Sequence, residues 1–307
     1  KLDVLNTVDP GVSVTTDLLI LRGDGAGGFA SQVHVPTAPC PNSIAAGDVN
    51  GDGELDLALG NGALFLGDGT GGFAPGTDTG ALGLVALADL SADGRLELVS
   101  ARIALVRVRL GDGSGGFGTE RLFPVGDEVS SLVLVDLDGN GNADLVTSNL
   151  RSNDVTLRFG DGSGGLFGRV DVPVGIEPWA VEPGDLDGDG VLELVVSNTG
   201  SDSLSVLRAL PGGGASRQDF PTGRGPSDLA LHDWSGDGSL DVITTMRRGS
   251  FAALVLHVSN GAGGFAWRRE APSGFAPDEV SARALAELTG DGLFDALMWV
   301  KARYGGI

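Results

Sequence analysis

Apolar residues recur at every second position in short runs along this chain, and no stretch shows a convincing helical stripe. Leu55, Leu57 and Leu59 alternate with Asp56 and Ala58, and Leu192, Leu194 and Val196 repeat the pattern. A period of two over five or six residues predicts a strand. Before each such run stands a mostly apolar stretch, Ile44-Ala45-Ala46-Gly47 or Leu132-Val133-Leu134-Val135, which reads as a second, buried strand. After it come Leu64-Phe65-Leu66 or Val155-Thr156-Leu157-Arg158-Phe159 and then, past a glycine-rich turn, an outer strand such as Arg169-Val170-Asp171-Val172. Four strands, A to D, therefore make one unit.

Between A and B of each unit lies a nine-residue segment that opens and closes on a carboxylate. Its six copies are residues 48–56, 89–97, 136–144, 185–193, 233–241 and 287–295. Position six is always Gly (Gly53, Gly94, Gly141, Gly190, Gly238, Gly292), and positions one, three, five and nine always carry side-chain oxygens. Alternate oxygens around a glycine bend are the recipe for a hard-cation cage. Successive first carboxylates lie 41, 47, 49, 48 and 54 residues apart. A second motif, Gly-Asp-Gly-x-Gly-Gly followed by Phe, interleaves with them at 23–29, 67–73, 111–117 and 160–167. A degenerate copy stands at 259–265 and a poor one near 211–215.

Two motifs alternating in register mean one supersecondary unit copied many times. The predicted fold is all-β, a β-propeller of four-stranded blades, in which radial packing protects the sheet edges. It is expected as a single domain over 1–307, with repeats starting near residues 1, 42, 83, 130, 178, 226 and 280. Six A strands and seven B strands are readable, with Lys1-Leu2-Asp3 as the tail of a further loop. Seven blades with incomplete terminal blades are expected, six being the alternative. The recurring Phe29, Phe73, Phe117, Phe167 and Phe265 read as core between blades.

Composition matters here chiefly through charge. The formal net charge is −21, which argues against nucleic acid as a partner. The ligand positions of the six loops hold 19 of the 41 carboxylates. Six divalent ions would add twelve positive charges and bring the balance to about −9. The single cysteine, Cys40, allows no intrachain disulfide, and no apolar run of 18 residues predicts a membrane span.

With both motifs in view, the chain resembles the FG-GAP/VCBS repeat family, whose units also build the amino-terminal propeller of integrin α chains. The resemblance implies Ca²⁺ bound through positions one, three, five and nine together with the carbonyl of position seven. Carried over, the first loop would use Asp48, Asn50, Asp52, Glu54 and Asp56, and the second Asp89, Ser91, Asp93, Arg95 and Glu97. The third would use Asp136, Asp138, Asn140, Asn142 and Asp144, and the fourth Asp185, Asp187, Asp189, Val191 and Glu193. The fifth would use Asp233, Ser235, Asp237, Ser239 and Asp241, and the sixth Glu287, Thr289, Asp291, Leu293 and Asp295. About five or six ions are implied. The longer Glu287 sets the sixth loop apart, and the neutral Ser91 and Ser235 predict weaker binding in the second and fifth loops than in the fourth. An EF-hand is excluded by Leu59 at the twelfth position and by flanking strands.

Other motifs point less far. Arg22-Gly23-Asp24 spells an integrin-binding tripeptide, yet in register it matches Leu66-Gly67-Asp68 and Leu110-Gly111-Asp112, so its Gly-Asp belongs to the structural turn. The same turn lacks the Gly-Lys-Ser/Thr ending of a phosphate cradle. His34, His232 and His257 occupy unrelated repeat positions and pair with no recognisable nucleophile, so no catalytic constellation is expected.

In the expected fold the acidic loops crowd one face, leaving the B–C and D–A connections for recognition. Trp179, Arg151, Asn153, Arg224 and Arg247 are the candidate partner-binding residues there, with Trp179 either a platform for a sugar or peptide or a plug in the central channel. The sequence thus predicts a calcium-stabilised, secreted or cell-surface adhesion or carbohydrate-binding module, monomeric or part of a longer chain. Its partner would be a glycan or an extracellular protein. A polysaccharide-active lyase or hydrolase on the same scaffold is the alternative.

Overall fold

The computed structural model describes residues 3–8, 16–23, 29–37, 41–210, 214–246, 253–272, 280–286 and 295–300. They form strands joined by turns, and no helix among them is long and apolar enough to cross a membrane. Sheet I holds β1 (Asp3–Val8), β2 (Thr16–Gly23) and β3 (Phe29–Thr37). Sheet II runs β4 (Ile44–Gly47), β5 (Asp56–Leu59), β6 (Leu64–Gly67) and β7 (Phe73–Pro75). Sheet III runs β8 (Leu84–Ala88), β9 (Glu97–Arg102), β10 (Leu105–Gly111) and β11 (Phe117–Pro124). Sheet IV runs β12 (Val129–Val135), β13 (Asp144–Asn149), β14 (Asp154–Gly160) and β15 (Leu166–Pro173). Sheet V runs β16 (Pro178–Gly184), β17 (Glu193–Asn198), β18 (Ser203–Leu210) and β19 (Gly214–Pro221). Sheet VI runs β20 (Pro226–His232), β21 (Asp241–Met246), β22 (Ala253–Ser259) and β23 (Phe265–Pro272), and sheet VII pairs β24 (Val280–Ala286) with β25 (Asp295–Val300).

Sheets II to VI are thus antiparallel meanders in the A-B-C-D order that the alternating motifs predict, with the acidic loop joining A to B. Sheets I to III, together with the turn Gly160–Phe167, form one compact unit, and sheets IV to VII form the other.

The alternation along the B strands has a more specific meaning than inside against outside. Each B strand of sheets IV to VI is buried along its whole length. Its odd and even residues enter different cores. Leu57 and Leu59 pack with Leu18 and Ile20 between sheets I and II, whereas Ala58 packs with Val85 and Leu98 between sheets II and III. In the other unit Leu194 and Val196 join Val155 and Val174 of sheet IV, and Val195 joins Leu229 and Val242 of sheet VI. A period of two therefore sorts one strand's side chains between two neighbours.

Two sequence readings change. Leu55 is 63% exposed, because the first B strand starts at Asp56 and Leu55 still belongs to the turn. Phe167 is 54% exposed, while Leu166 is buried. The turn at 160–167 places Leu166 where the other turns have Phe, and one residue later a strand side chain faces the opposite way. Phe73, Phe117 and Phe265 do pack against the cores as expected. The D strands are the outward edges. They carry charge, for example Glu120 and Arg121 on β11 or Arg169 and Asp171 on β15, which discourages pairing with another chain.

Candidate metal centres

The five described acidic loops share one hydrogen-bonded design. The position-one carboxylate accepts from the backbone N–H of the position-six glycine at 2.8–2.9 Å in every copy: Asp48 from Gly53, Asp89 from Gly94, Asp136 from Gly141, Asp185 from Gly190 and Asp233 from Gly238. Those glycines have φ between +84° and +90°. A Cβ there would meet nothing within 4 Å, so the backbone angle and not crowding demands glycine. Position five accepts from the N–H of position seven, as Asp52 does from Glu54 and Asp189 from Val191. Accepting several N–H groups holds the Asp48 and Asp233 carboxyls below the usual carboxylate range, the Gly53 and Gly238 bonds contributing most.

Position nine is buried and doubly employed. One of its oxygens accepts from the position-two N–H at 2.6–2.9 Å in all five loops: Asp56 from Val49, Glu97 from Leu90, Asp144 from Leu137, Glu193 from Leu186 and Asp241 from Trp234. Where the residue is Asp, the other oxygen can reach the C strand, as Asp56 does to the N–H of Gly67 and Asp241 to that of Ser259. Glu193 differs. Its Oε1 is buried without a hydrogen-bond partner. Burial raises the Glu97 and Glu193 carboxyls above their ordinary value.

Among the described residues, three acids converge in two loops, Asp136–Asp138–Asp144 and Asp185–Asp187–Glu193, with one oxygen of each within 4.8 Å of the others. Both loops carry Asp at position three, where the first, second and fifth have Asn50, Ser91 and Ser235. Converging hard oxygens with one buried carboxylate oxygen unpaired are a donor set suited to a divalent cation. Calcium ligands in this set would be Asp185, Asp187, Asp189 and Glu193, and the corresponding positions of the other four loops. Of the sixth loop, Glu287, Thr289, Asp291 and Leu293 lie outside the described residues, and Asp295 begins β25.

Sequence reading missed Arg208. It lies on β18 opposite Glu193, with Nη1 2.6 Å from Asp187 Oδ2, Nη2 bonded to Asp189 and Nε 3.7 Å from Glu193 Oε1. The signal was a base on a C strand facing an acidic loop, legible only once register is known.

The second motif is structural. Asp68, Asp112 and Asp161 each accept from the N–H and hydroxyl of the residue two further on and from the glycine four further on, and Asn260 does the same for two N–H groups. The turn also clasps the acidic loop of the sheet before its own: Gly115 donates to the Val49 carbonyl at 3.1 Å and Gly164 to the Leu90 carbonyl at 2.9 Å. Asp24 lies outside the described residues.

Of the candidate partner-binding residues, Asn153 lies at a joint between sheets. Asn153, with φ +57°, accepts the Glu177 N–H on its side-chain oxygen at 2.8 Å, and Asp202, with φ +52°, accepts that of Gly225. Asn153 is thus committed to the joint. Arg151 is exposed and ion-paired with Glu128. Trp179 is half-buried at the start of β16, its carbonyl accepting the Ser148 hydroxyl at 3.3 Å. Arg224 is exposed, and Arg247 lies outside the described residues.

His257 is buried against Thr222 Oγ1 at 2.7 Å, and burial, with Arg268 nearby, pushes it down to about 4. His232 meets Trp234 edge-on at 5.2 Å. One acid pair does stand out. Burial, helped by the Asp228 charge, pushes Glu182 on β16 up to about 7.

Comparison with known proteins gives the following. A family model described as an FG-GAP-like repeat matches residues 1–59, 89–147 and 144–196, and one described as an FG-GAP repeat matches 41–82. No curated protein matches in sequence. Similar solved structures include a lectin of Agrocybe aegerita described as recognising non-reducing terminal N-acetylglucosamine, with TM-score 0.56 and 16% identity over 97% of this chain and 85% of that one. The periplasmic gluconolactonase PpgL of Pseudomonas aeruginosa has TM-score 0.59 and 16% identity over 89% and 83%. A protein of unknown function from Desulfotomaculum acetoxidans has TM-score 0.58 and 12% identity over 88% and 80%. At these identities the likeness is one of fold, the all-β propeller.

Proposed function

We propose, from the premise that this chain belongs to the FG-GAP-like repeat family, that it is a calcium-braced extracellular binding module for a glycan or a protein. The observation that carries the calcium part is the convergence of Asp136, Asp138 and Asp144, and of Asp185, Asp187 and Glu193, with Glu193 Oε1 buried, accepting no hydrogen bond and 3.7 Å from Arg208 Nε. Bound Ca²⁺ would neutralise neighbouring carboxylates. This chain's own residues do the rest: N–H groups fold each loop in advance, and the buried ninth residue ties it to strands A, B and C. Each site then stabilises the fold by about 2.7 kcal/mol when free ion is 100-fold above Kd. Extracellular sites of this kind have Kd of about 0.1–1 mM, so they fill outside cells.

Partner binding is assigned to the connections away from the acidic loops, with the half-buried Trp179 and the exposed Arg151 and Arg224 as contacts and Arg247 as a further candidate. An aromatic side chain and guanidinium groups are residue types that suit a sugar ring or a peptide. Glycan-array binding with calcium and with chelator tests this reading, alongside a thermal melt. A melt indifferent to EDTA sinks the calcium part, and array signal that survives Trp179→Ala together with Arg224→Ala sinks the site.

One observation favours the second reading, a polysaccharide-active lyase or hydrolase. Burial, helped by the charge of Asp228 on the adjacent β20, raises Glu182 on β16 to about 7, so that it is partly protonated near neutral pH, as an acid of such an enzyme must be. Turnover of a polysaccharide that Glu182→Gln abolishes, with the fold intact, would establish it.

A further inference from the structure

The fourth loop, 185–193, is the only described loop with a carboxylate at all four ligand positions, and the only one faced by a base. β17 and β18 pair with Glu193 opposite Arg208. Continuing the strand register by one residue in sheets II, III, IV and VI, the residues opposite Asp56, Glu97, Asp144 and Asp241 are Leu66, Leu110, Phe159 and Val258. All four are apolar. Sheet I also has an arginine at this register, Arg22 opposite Asp3, but among the five described loops Arg208 alone stands there, and it reaches the acids at positions three, five and nine through Nη1, Nη2 and Nε. At positions one, three, five and nine the fourth loop carries four carboxylates where each other described loop carries three, so with the single positive charge of Arg208 it matches the −3 of the others at those positions.

We propose that Arg208 and a divalent ion are alternative occupants of the fourth loop, so that the loop with the most carboxylates at its ligand positions is the last to fill. The same carboxylate oxygens cannot face a guanidinium at hydrogen-bond distance and also surround Ca²⁺, and the two cations repel. Filling the loop requires Arg208 to leave. Its side chain is one-third exposed, so a path to solvent exists. This rests on the calcium reading above, and it reverses the order of affinities that carboxylate number alone predicts.

Calorimetric calcium titration of the whole chain tests it, comparing wild type with Arg208→Leu, the residue of sheets II and III at this register. The expected result is that one site tightens about tenfold or more while the others keep their affinities. Arg208→Gln keeps much of the side chain without its charge and should show the same gain if the leucine variant folds poorly, whereas Arg208→Lys should recover part of the competition. Adding Asp187→Asn to the leucine variant should remove the gained site. Isotherms of wild type, leucine and glutamine variants that superimpose, with ions still binding elsewhere, overturn this proposal alone. A blank titration of all of them, and of the first-loop variant Asp48→Asn/Asp52→Asn, overturns the calcium reading and this proposal with it.

Discussion

Asp52 and Asp56 lie four residues apart in one loop and differ in kind. Asp52 is exposed and accepts only local bonds that an asparagine oxygen can also accept. Asp56 is fully buried and takes the N–H groups of Val49 and Gly67. Asp52→Asn should therefore leave stability in EDTA within about 0.5 kcal/mol and weaken only the calcium-dependent increment. Asp56→Asn turns an NH₂ toward a backbone donor and should cost about 2–3 kcal/mol with or without calcium, as denaturant melts in both buffers would show. Spacing made both legible as ligands. It could not separate them, because burial and the reach to Gly67 depend on where the C strand falls. Gly190→Ala tests the bend: with open space around the missing Cβ and φ at +85°, it should cost about 1–2 kcal/mol by backbone strain alone.

At the scale of strands, β16, β20 and β22 set opposing pH dependences. Glu182 has its folded value raised from 4.5 to about 7, so its contribution is fully present below pH 4.5 and is lost as pH rises toward 7. His257 has its folded value lowered from 6.5 to about 4, so its contribution is present above 6.5 and is lost as pH falls toward 4. Both windows overlap, and each difference amounts to roughly 3 kcal/mol at most. The wild-type stability curve should accordingly be shallow between pH 4.5 and 6.5. Glu182→Gln should make stability climb with pH there, and His257→Phe should make it fall; equal slopes in the two variants would contradict the assignment. The strands that carry these groups were legible from alternation, and so were the A-to-D order and the acidic loops. Their facing partners were not. Leu55 and Leu57 look equivalent in sequence, yet Leu57→Ala should cost about 3 kcal/mol and Leu55→Ala almost nothing, because only Leu57 enters the core with Leu18 and Ile20.

Across the molecule the dominant quantity is the net charge of −21, concentrated in repeated loops. In chelator, added monovalent salt should raise the melting temperature by screening that repulsion, and in millimolar calcium the same salt should change it much less. Repetition made the fold family legible from sequence. The joints escaped, because Asn153 and Asp202 share a role through left-handed backbone angles that no composition reveals. The clasp between Gly115 and Val49, repeated between Gly164 and Leu90, has a further consequence for anyone recombining such chains. Because the turns of sheets III and IV each grip the loop one sheet earlier, a gripping pair spans about one and a half repeats, from the loop of one sheet to the turn of the next. A chimera spliced between D and the next A would break that grip at its seam, whereas one that exchanges everything from a loop through the turn of the next sheet would keep it.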